Sequence, residues 1–422
     1  MKLNQMKSAV SAGQFNQTFA KLYQSVDDSV ARYSAACDSF ADIFGDADVE
    51  LFSAPGRTEV GGNHTDHQLG CVLAGSVDLD VIAVASATDD GIIKIKSEGF
   101  PMDTVDTGVL VPQDAEQEKA ASLIRGVCAG LSRLGYKVGG FNAYTTSNVF
   151  KGSGLSSSAA FEVLVGNIIS HLYNDGQIDP VTIAKVSQLA ENEFFGKPSG
   201  LMDQMASSVG GFTAIDFGDI DNPVIEKVDF DITAHGHALC IVNTGGNHAD
   251  LTNEYAAVPS EMRSVAKFFG TDALRKVDPA DFYSKISELR VSFGDRAVLR
   301  AIHFFNDNQR AVDEKNALKA GEFDKFLTIV KESGRSSFMY LQNVYAACAP
   351  KEQGLSLALA LTDHVLGERG AYRVHGGGFG GTIQAFVPVD MLDEYKAAIE
   401  RVFGAGNCHV RNIRPIGGAK IS

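Results

Sequence analysis

The chain has 422 residues, of which 45% are hydrophobic and 21% are charged. This length and composition indicate a globular protein with room for two domains and are not typical of a disordered chain. The formal net charge of −15 argues against a nucleic acid as partner, because binding one depends on clustered lysines and arginines that neutralise phosphates.

The cysteines and the apolar segments bear on the cellular compartment. The six cysteines form no Cys-x-x-Cys pair, which suits reduced thiols. The first residues lack the apolar core of a signal peptide, and the longest apolar stretch is interrupted by Asp78 and Asp80. We therefore expect a cytoplasmic protein, a monomer, with no membrane partner.

The first half of the chain is expected to mix helices and strands. Residues 15–46 have helical spacing and lead into a short strand that should stop at Pro55 and Gly56. Further strands are expected at 72–86, 91–97 and 140–147. A helix over 181–195 should end at Gly196 and Pro198.

The second half is expected to be rich in helices. After one strand in GHALCIVNT, helical spacing prevails between about 254 and 367. Two strands then flank the glycines of GGGFGG, and a helix at 391–403 and a strand near CHVRNI follow. Because the elements do not alternate as βαβ units, the predicted class is α+β, with domains at 1–225 and 226–422.

The segment KGSGLSSSAAFE, residues 151–162, predicts a flexible loop that opens a helix. Free backbone N–H groups and the helix dipole at such a place bind anions, and phosphate is the natural guest. An ordinary serine N-cap is the alternative. Three adjacent hydroxyls, on Ser156, Ser157 and Ser158, exceed what one cap requires, and one of them could bind Mg²⁺.

Other nucleotide signatures fit poorly. The chain contains no GxxxxGK[ST] motif. Gly376, Gly378 and Gly381 satisfy GxGxxG, but a dinucleotide-binding fingerprint needs a helix after the glycines. A strand is expected there instead, so the sequence does not predict a Rossmann site. A tight hairpin between closely packed elements explains these glycines equally well.

Two more segments are dense in polar side chains. APGRTEVGGNHTDHQLG, residues 54–70, suits a polyhydroxylated ligand, and His64 with His67 is only weak evidence for a metal. In ENEFFGKPSGLMDQ, residues 191–204, Asp203 should fall in the first turn of a helix beginning near Gly200. Helix-terminus electrostatics alone would also explain an aspartate there.

Taken in order, these clusters resemble motifs of the GHMP kinase family, and within it of the galactokinases. The segment from Gly56 to Gly70 resembles the signature GRxNLIGEHTDYNGG, and LSSSAA is similar to the family's phosphate loop. GLMDQ resembles its catalytic GIMDQ, and GGGFGG resembles its C-terminal glycine loop. The resemblance covers residues 45 to 390 and implies a two-domain fold with mixed sheets and an active site in the cleft between the domains.

The resemblance also implies an activity and roles for residues. The activity is ATP-dependent phosphorylation of a sugar at its anomeric hydroxyl, with galactose as the expected sugar and ATP and Mg²⁺ as cofactors. Asp203 is the implied catalytic base with Arg57 beside it, and Ser158 and Glu191 are the implied Mg²⁺ ligands. The implied sugar-binding residues are Asn63, His64, Asp66, Gly200 and Tyr255, and the implied phosphate-binding residues are Gly152, Ser153, Gly154, Leu155, Ser156, Ser157 and Ser158.

Three positions depart from the pattern. The signature's glutamate is Asn63, its tyrosine is His67, and the proline usual before the phosphate loop is replaced at Phe150 or Lys151. An amide removes a negative charge, so galacturonate or L-arabinose is an alternative substrate. A sensor that binds sugar and ATP without catalysis is an alternative of another class, although Arg57, Asp203 and the serine loop are intact.

Overall fold

The computed structural model describes residues 1–149, 154–197, 199–246 and 251–422. Its strands are β1 (Glu50–Gly61), β2 (Cys71–Ala87), β3 (Ile92–Ser97), β4 (Met102–Asp106), β5 (Phe141–Ser147), β6 (Phe212–Asp216), β7 (Val224–Val228), β8 (His237–Asn243), β9 (Ala371–Val374), β10 (Thr382–Pro388), β11 (Cys408–Arg411) and β12 (Ala419–Lys420). Its α-helices are α1 (Leu3–Ser11), α2 (Asn16–Leu22), α3 (Val26–Phe44), α4 (Ala120–Arg133), α5 (Ser157–Tyr173), α6 (Pro180–Leu189), α7 (Met202–Val209), α8 (Thr252–Phe268), α9 (Pro279–Ser284), α10 (Ile286–Phe293), α11 (Asp295–Ala320), α12 (Phe323–Ser336), α13 (Gly354–Leu366) and α14 (Leu392–Phe403). None of the described helices is long and apolar enough to cross a bilayer.

The first sheet has eight strands and is covered by helices on both faces. Its main path runs β12-β1-β2-β5-β3-β4, with β6 and β7 continuing from β2. Because side chains alternate along a strand, Leu51 and Val84 pack on α1–α3 while Phe52 and Ala83 pack on the core beneath α5. The two covered faces explain why β2 is buried along nearly its whole length.

The second sheet has four antiparallel strands in the order β11-β8-β10-β9. Helices α13 and α14 pack on one face through a core that includes Val242 and Tyr395. On the other face, Leu239 and Phe386 join the core that contains α12 and the first sheet. The last strand, β12, returns to pair with β1, so the first sheet contains the C-terminal residues 419–420. A domain division at residue 225 stays a prediction.

The expected end of the first strand is wrong. Strand β1 continues through Pro55 and Gly56 to Gly61, paired with β2, with register shifts between Pro55 and Arg57 and between Glu59 and Gly61. A proline can lie within a strand where the ladder is irregular, because its missing N–H is not needed there. The continuation matters, since it carries Arg57 and Glu59 into the sheet.

Most other elements agree with their predictions. The strands expected at 72–86, 91–97 and 140–147 are β2, β3 and β5, and the glycines of GGGFGG connect β9 to β10. The helix expected over 181–195 is α6 followed by a π-helical turn at Ala190–Phe195, which ends at Gly196. Pro198 lies outside the described residues. Strand β4 and helix α4 were not anticipated by the sequence patterns.

Candidate functional site

Arg57 and Asp203 form an ion pair where β1 meets the start of α7. The Arg57 Nε atom lies 2.7 Å from Asp203 Oδ1, and the Ser156 hydroxyl donates to Oδ2. The Asp203 side chain is 31% exposed, so its carboxylate remains partly open to solvent. Burial alone would raise the pKa of Asp203, but the charge of Arg57 and these hydrogen bonds outweigh it and lower the pKa. The carboxylate is therefore ionised at neutral pH.

The start of α5 lies directly beside this pair. Ser156 adopts a left-handed conformation, with φ of 55°, and its hydroxyl is used by Asp203 and not as a cap. The loop is fastened to Arg57, whose backbone N–H donates to Leu155 O at 3.0 Å and whose Nη1 donates to Gly154 O. The first amides of a helix have no acceptor in their own helix, so an anion can bind there. Gly152 and Ser153 lie outside the described residues.

Glu191 and Ser158 bring two oxygen ligands together on the other side of α5. Ser158 Oγ lies 3.0 Å from Glu191 Oε1, which also receives Lys197 Nζ at 3.1 Å. A hydroxyl and a carboxylate are hard donors of the kind that Mg²⁺ uses together with phosphate oxygens and water, so this donor set fits the ion. No group of three or more His, Cys, Asp or Glu side chains among the described residues is arranged to hold a metal alone.

Glu191 is supported by Gln204 and Glu162, two residues that the sequence analysis did not assign to the site. Gln204 Nε2 donates to Glu191 Oε2 at 2.9 Å and contacts Glu162 Oε2 at 3.2 Å. Burial, followed by the charge of Glu191, raises the pKa of Glu162 well above its ordinary value. Burial therefore favours the protonated form of the Glu162 carboxyl group. The position of Gln204, directly after Asp203 in GLMDQ, was the available signal.

The polar side chains of His64, Asp66 and His67 lie between the glycine-rich segment 376–381 and the segment that leads into α7. The His64 ring contacts His67 at 3.1 Å and Gly377 O at 3.0 Å. Burial, with His67 nearby, lowers the pKa of His64 to about 3, so the ring is neutral and its Nε2–H donates to the carbonyl. A Cβ at Gly200 would lie 2.7 Å from Asp66 Oδ2, which places the carboxylate against that glycine.

The glycine loop, residues 376–381, lies under these side chains. Three successive carbonyls are held, because Asn63 Nδ2 donates to Gly376 O at 2.8 Å, His64 contacts Gly377 O, and Tyr255 OH donates to Gly378 O at 2.7 Å. Tyr255 also packs edge-on against Phe379. The loop therefore joins the sugar-signature residues to the segment around Tyr255.

Asn63 is fully buried and its amide is saturated. Besides Gly376 O, its Nδ2 donates to Glu59 Oε1 at 2.8 Å, and its Oδ1 accepts from Ser337 at 3.1 Å and from Asn343 at 2.9 Å. An amide offers two N–H donors and two acceptor positions, and all four are taken. In this arrangement the Asn63 amide has no donor or acceptor left for the expected contact with a sugar.

Glu59, Arg373 and His375 are further site residues that the sequence patterns did not single out for a role. Arg373 Nη2 lies 2.9 Å from Glu59 Oε1, and both side chains are buried. Burial raises the pKa of Glu59 to about 7, although Arg373 and Arg57 oppose it. His375 lies between β1 and the loop before α5. Its Nε2 accepts from the Glu59 backbone N–H at 3.4 Å, and its Nδ1 would lie 3.3 Å from a Cβ at Gly154.

Comparison with known proteins decides the family. One family model, described as the GHMP kinases N terminal domain, matches residues 122–211, and the galactokinase galactose-binding signature matches residues 38–87. A galactokinase from Actinobacillus pleuropneumoniae serotype 3 (strain JL03) is 30% identical over 367 residues, which cover 86% of this chain and 92% of that protein. The chain belongs to the galactokinase family.

Solved structures agree with this assignment. The crystal structure of Lactococcus lactis galactokinase complexed with galactose matches with a TM-score of 0.77 and 25% identity, covering 92% of this chain and 99% of that one. The Methanococcus jannaschii mevalonate kinase matches with a TM-score of 0.60 and 15% identity, covering 86% and 98%, and shows the common fold. The predicted GHMP kinase fold and class of enzyme, a phosphotransferase, are confirmed. The roles of individual site residues stay predictions.

Proposed function

We propose that this galactokinase-family chain transfers the terminal phosphoryl group of ATP to the anomeric hydroxyl of galactose, giving galactose 1-phosphate and ADP. Its 30% identical relative is a galactokinase, and the Lactococcus lactis structure of the same fold contains galactose. The observation that carries the proposal is the Arg57–Asp203 pair at the N-terminus of α5, with Asp66 and Gly200 close to it.

Asp203 is proposed as the catalytic base. Its carboxylate is ionised and partly exposed, and it would accept the proton of the anomeric hydroxyl as the phosphoryl group arrives. Arg57 keeps the base ionised and offsets negative charge on the phosphoryl group in flight. Since the Arg57 side chain also fastens the phosphate loop through Gly154, base and loop are held by one side chain.

The nucleotide phosphates are proposed to lie along the loop from Gly152 to Ser158. Backbone amides of that loop and of the first turn of α5 would bind them. Ser158 and Glu191 would hold Mg²⁺, which when bound neutralises charge between the phosphates. Lys197, whose ammonium group lies 3.1 Å from Glu191 Oε1, would add a second positive charge near the phosphate oxygens.

The sugar is proposed to bind between Asp66 and the glycine loop. Asp66 can accept from two adjacent hydroxyls, and any side chain at Gly200 would occupy the space in front of its carboxylate. His64 is neutral and its two ring nitrogens are engaged by His67 and by Gly377 O, so it would line the site without a charge. Tyr255 supports the same loop from the other side.

Three coarser expectations are retained as proposals. We propose a division into domains at residues 1–225 and 226–422, a monomeric state and a cytoplasmic location. All six cysteines are free thiols, as a reducing compartment would require.

The test is a comparison of phosphoryl transfer to galactose, galacturonate and L-arabinose with ATP and Mg²⁺. We expect galactose to give the highest kcat/KM and galactose 1-phosphate as product. A preference for galacturonate or L-arabinose would replace galactose as the substrate. Binding of an aldose without consumption of ATP would contradict the kinase assignment and favour a sensor.

A further inference from the structure

Glu59 and Asn63 form a buried carboxylate–carboxamide pair beneath the glycine loop. Their side chains meet at 2.8 Å, and the same Glu59 oxygen receives Arg373 Nη2. Both residues are almost entirely buried, at 5% and 0% exposure. A buried carboxyl group of this kind requires hydrogen-bond partners, which Arg373 and Asn63 supply, and a buried amide requires partners for every polar atom.

The pair determines where the glycine loop lies. Asn63 donates to Gly376 O, and its Oδ1 holds Asn343, whose Nδ2 also lies 3.2 Å from Gly377 O. The loop has little room to shift, because a Cβ at Gly378 would lie 2.0 Å from the Asn343 carbonyl. His64, proposed above to line the sugar site, rests on the same loop. A displacement of Asn63 would therefore shift the glycine loop on which the sugar site is proposed to rest.

The galactokinase signature has the two residue types in the opposite order. Where GRxNLIGEH has asparagine and then glutamate four residues later, this chain has Glu59 and then Asn63. The contact between these positions means that the exchange lies within one hydrogen-bonded pair. An exchange at both positions keeps one carboxyl group and one amide donor within the pair.

We infer that Glu59 and Asn63 are one positioning unit for the kinase reaction, in which the carboxylate and the carboxamide can be exchanged only together. Neither residue is assigned a contact with substrate. They act through the glycine loop and Arg373. This inference rests on the proposed function and adds a second set of residues on which turnover depends.

The experiment is a double-mutant cycle on the full chain. Glu59→Asn, Asn63→Glu and the double variant are compared with wild type by kcat and KM for galactose and ATP, and by urea unfolding. The matched control exchanges an exposed amide–carboxylate pair with the same four-residue spacing, Gln309→Glu with Asp313→Asn, whose side chains meet at 3.0 Å on α11.

We expect each single change to lower kcat/KM about 100-fold, because one leaves Arg373 unpaired and the other places two carboxylates in contact. Independent sites would then give a loss of about 10⁴-fold in the double variant. The inference instead expects the double variant to exceed the weaker single variant at least tenfold. The control exchange should leave kcat/KM unchanged.

A double variant no better than its weaker single variant would overturn the inference. Should the single variants not fold, folding of the double variant supports the inference. Should the double variant not fold either, the more conservative Glu59→Gln decides, with a loss of about tenfold in kcat/KM expected and unchanged activity contradicting.

The failure of the proposed function gives a different result. If wild type phosphorylates no aldose, the proposed function is rejected while the pair is still tested by unfolding. A double variant more stable than both single variants then supports the pair, and additive losses reject it.

Discussion

Two arginine–carboxylate pairs lie along β1, and they behave in opposite ways. Arg57 and Asp203 meet at 2.7 Å with the carboxylate side chain 31% exposed, whereas Arg373 and Glu59 meet at 2.9 Å with 7% exposure of the carboxylate side chain. The first pair lowers the pKa of its acid, and in the second pair burial raises the pKa of Glu59 to about 7.

The difference shows that an arginine neighbour does not by itself fix the charge of a carboxyl group. Asp203 gains hydrogen bonds from Arg57 and Ser156 and stays partly exposed to solvent, so attraction outweighs desolvation. Glu59 is enclosed between the two sheets, and desolvation prevails. The open pair suits proton transfer, and the closed pair suits the holding of a loop.

The largest expected effect separates the pairs by activity. Asp203→Asn keeps the size of the side chain but removes the base, and we expect kcat to fall about 10³-fold in a protein that stays folded, with some loss of stability because Arg57 loses its charged partner. The matched control is Asp390→Asn, which alters an exposed Arg–Asp pair with Arg369. Steady-state kinetics and urea unfolding measure both. An Asp203→Asn enzyme with most of its kcat would show that the open pair is not catalytic.

A smaller effect concerns the pH dependence of stability. The folded-state pKa of Glu59, about 7, lies above that of an unfolded glutamate, so its contribution to stability is present at low pH and is lost as the pH rises through 7. Glu59→Gln removes this pH-dependent contribution to stability, because glutamine does not titrate. We expect the free energy of unfolding of the variant, relative to wild type, to improve by about 2 kcal/mol between pH 5 and pH 8.

Urea unfolding at the two pH values measures this change. The control is Glu288→Gln, an exposed glutamate paired with Lys285, whose difference from wild type should be the same at both pH values. A difference for Glu59→Gln that is equally constant would mean that the buried pair is fully ionised, like the open one.

The smallest expected effect concerns Glu191, a carboxylate that contacts Lys197, Ser158 and Gln204. Glu191→Gln keeps the contact with Ser158 possible but weakens a hard anionic ligand, so we expect the Mg²⁺ concentration for half-maximal rate to rise about tenfold. Glu193→Gln is the matched control, since Glu193 lies two residues away and pairs with Arg133 outside the site. Equal Mg²⁺ dependence of both variants would remove Glu191 from the ion site.

The sequence anticipated the contacts around Arg57 and Glu191 better than it anticipated the partners of Asn63. Arg57, Asp203, Ser158 and Glu191 lie in short motifs whose residue types are needed for phosphate and ion chemistry, and the structure brings each pair into contact. Asn63 was expected to contact the sugar, yet its partners Ser337 and Asn343 come from segments more than 270 residues away. Local spacing carries no information on such partners.

The same limit explains the misjudged strand. Pro55 and Gly56 are local turn signals, and they predict an end to β1. Pairing of ten of the twelve residues of β1 with β2 outweighs them, and the irregularity is absorbed as shifts in register. Conversely, α5 and α7 were well placed because their starts are marked by the chemistry of their first turns.

The continuation of β1 has one more consequence. Arg57 and Glu59 are two residues apart in a regularly paired part of the strand, opposite Ser76 and Ala74, and so project from the same face. Slippage of the strand by a single residue would present Thr58 and Val60 there instead. A shift in register would therefore disturb the Arg57–Asp203 pair and the Glu59–Arg373 pair together.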